Sequence, residues 1–391
     1  KYGGDTDNWM WPRHTGDFSM LRIYAGEDNE PADYSETNVP YQPKRHLRIS
    51  MDGVSEDDFT MVMGYPGSTD RFLSSWGIEQ ALDLYNPSVV EVRDLKLQTM
   101  KKHMDADPAV RIQYAAKYAQ TANYWKYYIG QSKGLKRLDV QTKKQDLEAR
   151  FNEWMTETPE RLSEYEGTLE LISDYYDETD ASVRGKVYAL EAGLIGCDIS
   201  LFAFRFYRMA AGLFSEDSEE VAATQGAMTE YVNGHFREYD QSTDRDLFVN
   251  LMTKFQDDID PAFHPSFFEL VADKYKGDFS RYADKMYAKS FLVDADRCAE
   301  FIASPSQKVM NKDLAIIVGN SAIQTYFAGM ANPAEAKFNR GYRMLVKGLR
   351  EMDSDQAIAP DANSTMRITY GAVQPYKAAD AVNYDFITTA N

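Results

Sequence analysis

Short apolar runs near the start of the chain alternate with clusters of Gly, Pro, Asn and Asp. Three of these runs have the length and the boundaries of β-strands: Phe18–Tyr24, Leu47–Met51 and Phe59–Met63. Residues 29–44 contain three prolines and favour a loop. The Gly64-Tyr65-Pro66-Gly67 sequence then ends the β pattern, and the strands before it are too few to close a barrel.

From Asn86 onward, apolar residues recur at helical spacing through most of the chain. Ser88 and Glu91 have the spacing of a capping box. Three further helix starts combine a capping residue with Pro at the first helical position: Asp107-Pro108, Thr158-Pro159 and Asn332-Pro333. Two apolar stripes predict helix sides that face a core: Leu162, Tyr165, Leu169, Ile172 and Tyr176, and Phe338, Tyr342, Leu345 and Leu349.

The pattern returns to β at Ser364–Tyr370, which alternates as a strand before Gly371. The order of elements predicts an α+β protein that is mostly α, with a large all-helical domain inserted between two parts of a β domain. The predicted boundaries are residues 1–70, 71–363 and 364–391. No fixed internal repeat is present, which disfavours a solenoid.

The charge balance excludes some classes of partner. The 391 residues include 43 Lys and Arg against 61 Asp and Glu, a net charge of −18, which repels nucleic-acid backbones and anionic lipid surfaces. The longest apolar stretch, Ala189–Phe206, is interrupted by Glu191, Asp198 and Arg205, and membrane insertion is not predicted. The sequence therefore predicts neither nucleic acid nor a membrane as a partner.

The sequence also predicts no metal site. Cys197 and Cys298 lie in apolar helical patterns and are interpreted as buried free thiols, although a disulfide in an oxidising compartment stays open. Neither cysteine has a His or Cys at metal-ligand spacing, and the five His are scattered singly.

Other conspicuous stretches have a structural interpretation. The aromatic residues of 123–130 favour packing over a stacking platform for a ligand. The acidic runs Glu216–Glu220 and Asp257–Asp260 fall at helix junctions and predict solvated caps.

The first nineteen residues combine two Trp, three Asp, three Gly, an Arg and a His just before the first predicted strand. Rigid aromatic walls and charges concentrated in a loop are typical of a functional site. A calcium loop would begin like Asp5-Thr6-Asp7-Asn8, but Trp9 follows Asn8, the expected turn glycine is absent, and Gly16 stands where the closing glutamate belongs.

Two acid-base interpretations of this stretch remain. His14 and Asp17 can form a local pair, although a His three residues from an Asp in a turn is more often a structural partner. Alternatively, Asp17 orients a distant histidine, since Gly16 permits close backbone approach and a carboxylate can fix the tautomer of an imidazole.

The run Gly3-Gly-Asp-Thr-Asp-Asn-Trp-Met-Trp-Pro-Arg-His-Thr-Gly-Asp-Phe18 resembles the motif of the bacterial dipeptidyl-peptidase 7 and 11 family. These are serine exopeptidases with a chymotrypsin-like double β-barrel. Three further segments resemble the family in matching order: Phe59–Gly67, Asn123-Tyr-Trp-Lys126 and Asp361–Gly371. The resemblance therefore spans nearly the whole chain.

The resemblance implies that the chain is part of an enzyme that releases dipeptides from the free N-terminus of oligopeptides. Asp17 matches the aspartate of the catalytic triad, and Asn8 and Trp9 match the pair that holds the free amino terminus of the substrate. The implied helical domain is a lid or regulatory domain, and no cofactor is implied. The implied location is the periplasm or the cell exterior; the preferred second substrate residue and a homodimer stay open.

The chain reads as an internal fragment, because the family places the triad His before this motif and the nucleophilic Ser after the last matching segment. Without them the fragment is expected to be inactive alone. Gly319-Asn320-Ser321 lies in an apolar helical pattern and is interpreted as helix. The alternative hypothesis is a non-catalytic acidic helical module that binds a protein partner, with the opening loop as a structural aromatic corner.

Overall fold

A computed structural model describes residues 20–330, 334–356 and 358–387. Its contacts divide these residues into two units. One, here called the two-segment unit, is formed by the described residues up to Arg71 together with those from Pro360 onward. The other, the helical unit, is Phe72–Ala359.

The strands of the two-segment unit form three antiparallel pairs. These are β1 Tyr24–Ala25 with β2 Val39–Pro40, β3 Phe59–Gly64 with β4 Arg367–Ala372, and β5 Tyr376–Ala379 with β6 Val382–Tyr384. In the longest pair, Phe59 lies opposite Ala372 and Gly64 opposite Arg367. Because antiparallel neighbours place the end of one strand beside the start of the other, the chain leaves β3 and enters β4 at the same place.

The predicted strand at Phe59–Met63 is confirmed, and the one at Ser364–Tyr370 is confirmed with its start shifted to Arg367. Of the described part of Phe18–Tyr24, only Tyr24 is in a strand. The strand predicted at Leu47–Met51 is wrong: the segment is irregular and exposed, because no described strand pairs with it. Conversely, the predicted loop at 29–44 contains the short β2.

The helical unit is built from fifteen α-helices, listed here for the described residues. They are α1 Ser75–Gln80, α2 Asn86–Ala106, α3 Pro108–Arg137, α4 Val140–Thr156, α5 Pro159–Tyr165, α6 Thr168–Tyr188, α7 Asp198–Met209, α8 Ser218–Arg237, α9 Gln241–Asp258, α10 Phe267–Tyr275, α11 Phe279–Lys289, α12 Ala295–Ala303, α13 Gln307–Met310, α14 Leu314–Met330 and α15 Glu335–Met352. Two π-helical turns, Ala81–Tyr85 and Ala189–Leu194, follow α1 and α6. Three 3₁₀ segments complete the unit: Ala210–Phe214, Pro261–Phe263 and Phe291–Val293.

Two of the predicted helix starts are confirmed by their hydrogen bonds. The Asp107 carboxylate accepts from the Ala109 N–H at 2.7 Å, and the Thr158 hydroxyl accepts from the Arg161 N–H at 3.3 Å. Asn332-Pro333 lies outside the described residues.

The predicted capping box at Ser88 is wrong. Helix α2 begins at Asn86 and continues directly from the π-helical turn Ala81–Tyr85, so no free N–H is present for Ser88 to cap. The buried Ser88 hydroxyl instead donates to the Leu84 carbonyl at 2.7 Å.

The acidic runs are only partly the solvated caps that were predicted. Asp217 caps α8 by accepting from the Glu219 N–H, and Asp260 caps the 3₁₀ segment that starts at Pro261. Asp258 instead accepts from the Tyr188 hydroxyl and from Lys254 Nζ, both at 2.6 Å, and so bridges two helices.

Among its described residues, the helical unit contains two hydrophobic clusters. The larger is centred on α2, α7, α9, α10 and α11 and includes the buried rings of Tyr114, Phe202, Phe206 and Phe248. The smaller packs Phe151 of α4 against Tyr165 and Ile172 and against Leu345 and Leu349 of α15. The two predicted stripes supply this smaller cluster, except Leu162, which is 38% exposed.

Polar and thiol groups within these cores have structural partners. Ser321 lies in α14, as predicted, and its hydroxyl is within 3.0 Å of Ser266 Oγ and accepts from the Phe267 N–H. Cys197 and Cys298 are buried free thiols, as predicted. Burial raises the pKa of the Cys298 thiol to about 12, which makes it unreactive as a nucleophile.

No single helix in the described ranges has both the length and the apolar composition to cross a membrane. The segments Pro159–Leu194 and Asp198–Phe214 meet that test only when taken together, and they are bent by 86° at their junction. Within the same ranges, no group of three or more His, Cys, Asp or Glu side chains could hold a metal ion.

Candidate functional site

The residues that the opening motif nominates, Asp17, Asn8 and Trp9, lie outside the described residues. Their proposed roles, and the local His14–Asp17 pair, therefore stay predictions. The other three motif segments are described: Phe59–Gly67 and Asp361–Gly371 lie in the two-segment unit, and Asn123–Lys126 lies in α3.

Two of those segments meet at a point here called the junction, residues 64–71 and 360–367. The Asp361 carboxylate accepts from the Thr69 hydroxyl at 2.8 Å and from the Arg71 N–H at 2.7 Å. The Ser364 N–H donates to the Pro66 carbonyl at 2.9 Å. These bonds hold together the two chain segments that precede and follow the helical unit in sequence.

The strands next to the junction carry exposed apolar side chains. Phe59, Val62 and Tyr370 are 65%, 68% and 76% exposed. A two-stranded pair is marginally stable by itself, and apolar faces of this kind need a covering layer.

The aromatic segment of α3 combines packing with exposure. Trp125 packs partly buried against the larger hydrophobic cluster, which agrees with the predicted packing role. Tyr124 is about half exposed, at 48%, and the Arg93 guanidinium lies 5.0 Å from the centre of its ring. Tyr124 is therefore on the surface of the unit, beside a cation.

A carboxylate that the sequence analysis did not single out organises the start of α7. The buried Asp244 of α9 accepts from the Asp198 N–H at 2.5 Å and from the Ile199 N–H at 3.2 Å. It also accepts from the Tyr287 hydroxyl at 2.8 Å and the Tyr239 hydroxyl at 3.4 Å. Asp244 thus caps a helix to which it is not adjacent in sequence.

Burial dominates the ionisation of this carboxyl group. Loss of hydration, and then the negative charge of Asp198, raise the pKa of Asp244 to about 7, although hydrogen bonds from Tyr287 and from two backbone N–H groups act in the opposite direction. The same environment raises the pKa of Tyr287 well above its ordinary value.

A cavity of about 250 Å³, here called the Lys96 cavity, lies beside this cap, between α2, α3, the π-helical turn at 189–194 and α7. The Arg93 guanidinium pairs with the Glu191 carboxylate at 2.8 Å, and Lys117 Nζ pairs with the Asp198 carboxylate at 2.7 Å. The Lys96 ammonium donates to the Ile195 carbonyl at 2.6 Å. Charged groups from four separate segments therefore converge on one space.

The sequence contains one indication of this cavity. Glu191 and Asp198 interrupt the most apolar stretch of the chain, where a charge is costly unless it has a partner. From the sequence alone, these two charges argue only against a membrane helix. Their partners, Arg93 and Lys117, are more than 80 residues away, at separations of 98 and 81 positions, and spacing could not reveal them.

The chain matches the Peptidase S46 family model over residues 1–391. Dipeptidyl-peptidase 7 of Porphyromonas gingivalis is 37% identical over 399 residues, covering 100% of this chain and 54% of that protein. An Asp/Glu-specific dipeptidyl-peptidase of Flavobacterium psychrophilum is 34% identical, covering 98% of this chain and 54% of that protein.

The fold comparison points in the same direction. A crystal structure of Porphyromonas endodontalis DPP11 in complex with the dipeptide Arg-Glu matches with a TM-score of 0.81 at 29% identity, covering 97% of this chain and 55% of that one. The chain thus spans about half the length of the curated relatives that it matches. A family match over every residue, with relatives above 30% identity along the whole chain, means that this chain belongs to the Peptidase S46 family.

Proposed function

We propose that the complete protein is a serine-type dipeptidyl peptidase that releases dipeptides from the free N-terminus of oligopeptides. The observation that carries this proposal is the complete motif Gly3–Phe18 in a chain that belongs to the Peptidase S46 family from end to end. Relatives along the chain are named dipeptidyl peptidases, and DPP11 structures contain dipeptides.

Within the proposed site, each motif residue has a separate task. Asp17 holds and polarises a histidine, which takes the proton from a serine nucleophile. Asn8 accepts a hydrogen bond from the terminal ammonium of the substrate through its side-chain carbonyl, and Trp9 forms the wall that ends the site. The histidine and the serine come from the complete protein, and the reaction needs no cofactor.

The two-segment unit is proposed to be part of a chymotrypsin-like double barrel, and the helical unit to be the lid that limits substrate length. Two observations support an insertion of this kind: β3 pairs with β4, and Asp361 bonds to Thr69 and Arg71 at the junction. The protein is proposed to act in the periplasm or outside the cell. No feature of the described residues favours the alternative of a non-catalytic acidic module.

The proposal is tested through the recognition of the amino terminus. A dipeptide linked to a chromophore is compared with its N-acetylated form, using the complete protein and its Asn8→Ala variant. The acetylated form should not be cleaved, and Asn8→Ala should lose roughly ten- to a hundredfold in kcat/KM on the free amine, because a charge-assisted hydrogen bond is worth ~1.5–3 kcal/mol.

A small serine-directed acylating inhibitor serves as the control, since it does not use the ammonium site. It should react with both proteins at similar rates. Equal loss toward substrate and inhibitor would make Asn8 a scaffold residue, and absence of any dipeptide release by the complete protein would overturn the proposed function.

A further inference from the structure

The Lys96 cavity holds more hydrogen-bond donors than its own carboxylates satisfy. Of its three cations, Arg93 is paired with Glu191 and Lys117 with Asp198. Lys96 makes no ion pair in the part of the chain that the structure describes, and one of its three N–H groups is used by the Ile195 carbonyl. The formal charges of the lining side chains therefore sum to one positive charge. Burial lowers the pKa of Lys96, while the nearby carboxylates of Asp198 and Glu191 act in the opposite direction.

A second donor is unused at the same place. Arg93 Nε is buried and has no hydrogen-bond partner among the described residues. Buried polar groups without a partner are rare in folded proteins, and each one needs an explanation. Arg93 and Lys96 are three positions apart on α2, so their side chains lie on the same side of that helix. Both side chains line the cavity.

Another part of the cavity lining is apolar. Met100, Ile195, Leu201 and Leu247 form an apolar part of the wall. Access to solvent is through the exposed residues Gln120 and Tyr124. A volume of about 250 Å³ is ample for a small organic molecule and far larger than the space that one water needs.

We propose that the Lys96 cavity binds a small organic monocarboxylate, with its carboxylate on Lys96 Nζ beside the Arg93 guanidinium and its apolar body against Met100, Ile195 and Leu247. A single negative charge balances the single excess positive charge. A phosphate fits less well, because Tyr114 and Lys117 already donate to Asp198 and leave few donors for its remaining oxygens. This proposal does not depend on the peptidase function proposed above.

The test is isothermal titration of the complete protein with 4-methylpentanoate at constant ionic strength. Two probes are titrated in parallel: 4-methylpentanamide, which has the same shape without the charge, and inorganic phosphate. The carboxylate should bind with one-to-one stoichiometry, and the amide at least about tenfold more weakly, because hydrogen bonds to a charged group are the stronger ones. Phosphate should bind more weakly than the carboxylate.

Lys96→Met keeps the length of the side chain and removes its charge, and it should weaken carboxylate binding by about ten- to a hundredfold. Lys102→Met is the matched control, since Lys102 lies on the same helix with a side chain that is 74% exposed. It should bind as the wild type does. Gln120→Trp, at the exposed mouth, leaves every charge in place and should also weaken binding by obstructing entry.

Several outcomes overturn the proposal. They are the absence of saturable heat with the carboxylate, equal binding of the acid and its amide, tighter binding of phosphate, or equal loss in Lys96→Met and Lys102→Met. If circular dichroism shows that Lys96→Met is unfolded, Gln120→Trp decides the question, and unchanged carboxylate binding by that variant refutes the site.

Discussion

Asp17 is the residue on which the proposed chemistry depends most. In the complete protein, Asp17→Asn keeps the shape of the side chain but favours the wrong tautomer of the catalytic histidine, and the corresponding change in a serine protease costs ~10⁴ in kcat. Asp5→Asn and Asp7→Asn should cost much less, because those side chains are assigned only to the turn. Steady-state kinetics on the three variants, each checked for native melting, separates these roles.

One result would contradict the assignment of Asp17 as the triad carboxylate. Asp17→Asn would retain activity within about tenfold of the wild type, far from the ~10⁴ loss, while Asp5→Asn or Asp7→Asn would be inactive. The triad carboxylate would then lie at the other end of the motif.

Asp244 should make the stability of the helical unit depend on pH. Its pKa is raised from 3.8 to about 7, so the folded protein keeps a proton there that the unfolded chain has released. The resulting stabilisation is fully present below about pH 3.8 and is lost as the pH rises through about 7. The asparagine in Asp244→Asn does not titrate. Between about pH 5 and 7, the free energy of unfolding of this variant should therefore fall less steeply with pH than that of the wild type, and the two slopes should differ by up to about 1.4 kcal/mol per pH unit.

Urea unfolding of the complete protein at several pH values measures that slope. Asp273→Asn, which removes a carboxylate from an exposed position of α10, is the matched control and should follow the wild-type slope. Identical slopes for Asp244→Asn and the wild type would mean that Asp244 is ionised across this range.

At the scale of single elements, the confirmed cap at Asp107 and the refuted cap at Ser88 should respond differently to loss of the polar side chain. Asp107→Ala removes the cap of α3 and should cost about 0.5–2 kcal/mol in the free energy of unfolding. Ser88→Ala should cost less, because its hydroxyl caps nothing and the higher helix propensity of Ala returns up to about 0.5 kcal/mol. Denaturation midpoints measure both costs, provided that the variants share the same dependence of unfolding free energy on denaturant. An equal cost for the two variants would mean that Ser88 does act as the cap of a capping box.

These two positions also show what local sequence patterns can predict. Asp107 and its N–H partner are two residues apart, so spacing alone identifies the cap. Ser88 has equally suitable spacing, but the preceding residues are already helical, and that depends on packing beyond the motif. The Asp244 cap joins residues 46 positions apart, which local spacing cannot reveal.

The same limit applies to strands and to sites. Phe59–Met63 was predictable because four of its five residues are apolar, whereas the two-residue β2 depends on its partner β1. The Lys96 cavity draws its charges from separate helices and could not be predicted. Asp17, Asn8 and Trp9, in contrast, were assigned by a contiguous motif, which a sequence displays in full, and they lie outside the described residues.

For the whole molecule, the junction determines how the helical unit can be removed. Arg71 N lies 2.7 Å from the Asp361 carboxylate, so a short flexible linker in place of residues 72–359 can connect the two segments and keep the Thr69–Asp361 hydrogen bond. If the helical unit is the lid, the shortened protein should cleave N-acetylated peptides that the intact protein rejects, with the triad chemistry unchanged. Titration with a serine-directed inhibitor counts the folded active sites in both proteins. A folded shortened protein that still requires a free amino terminus would show that Asn8, and not the helical unit, selects the substrate.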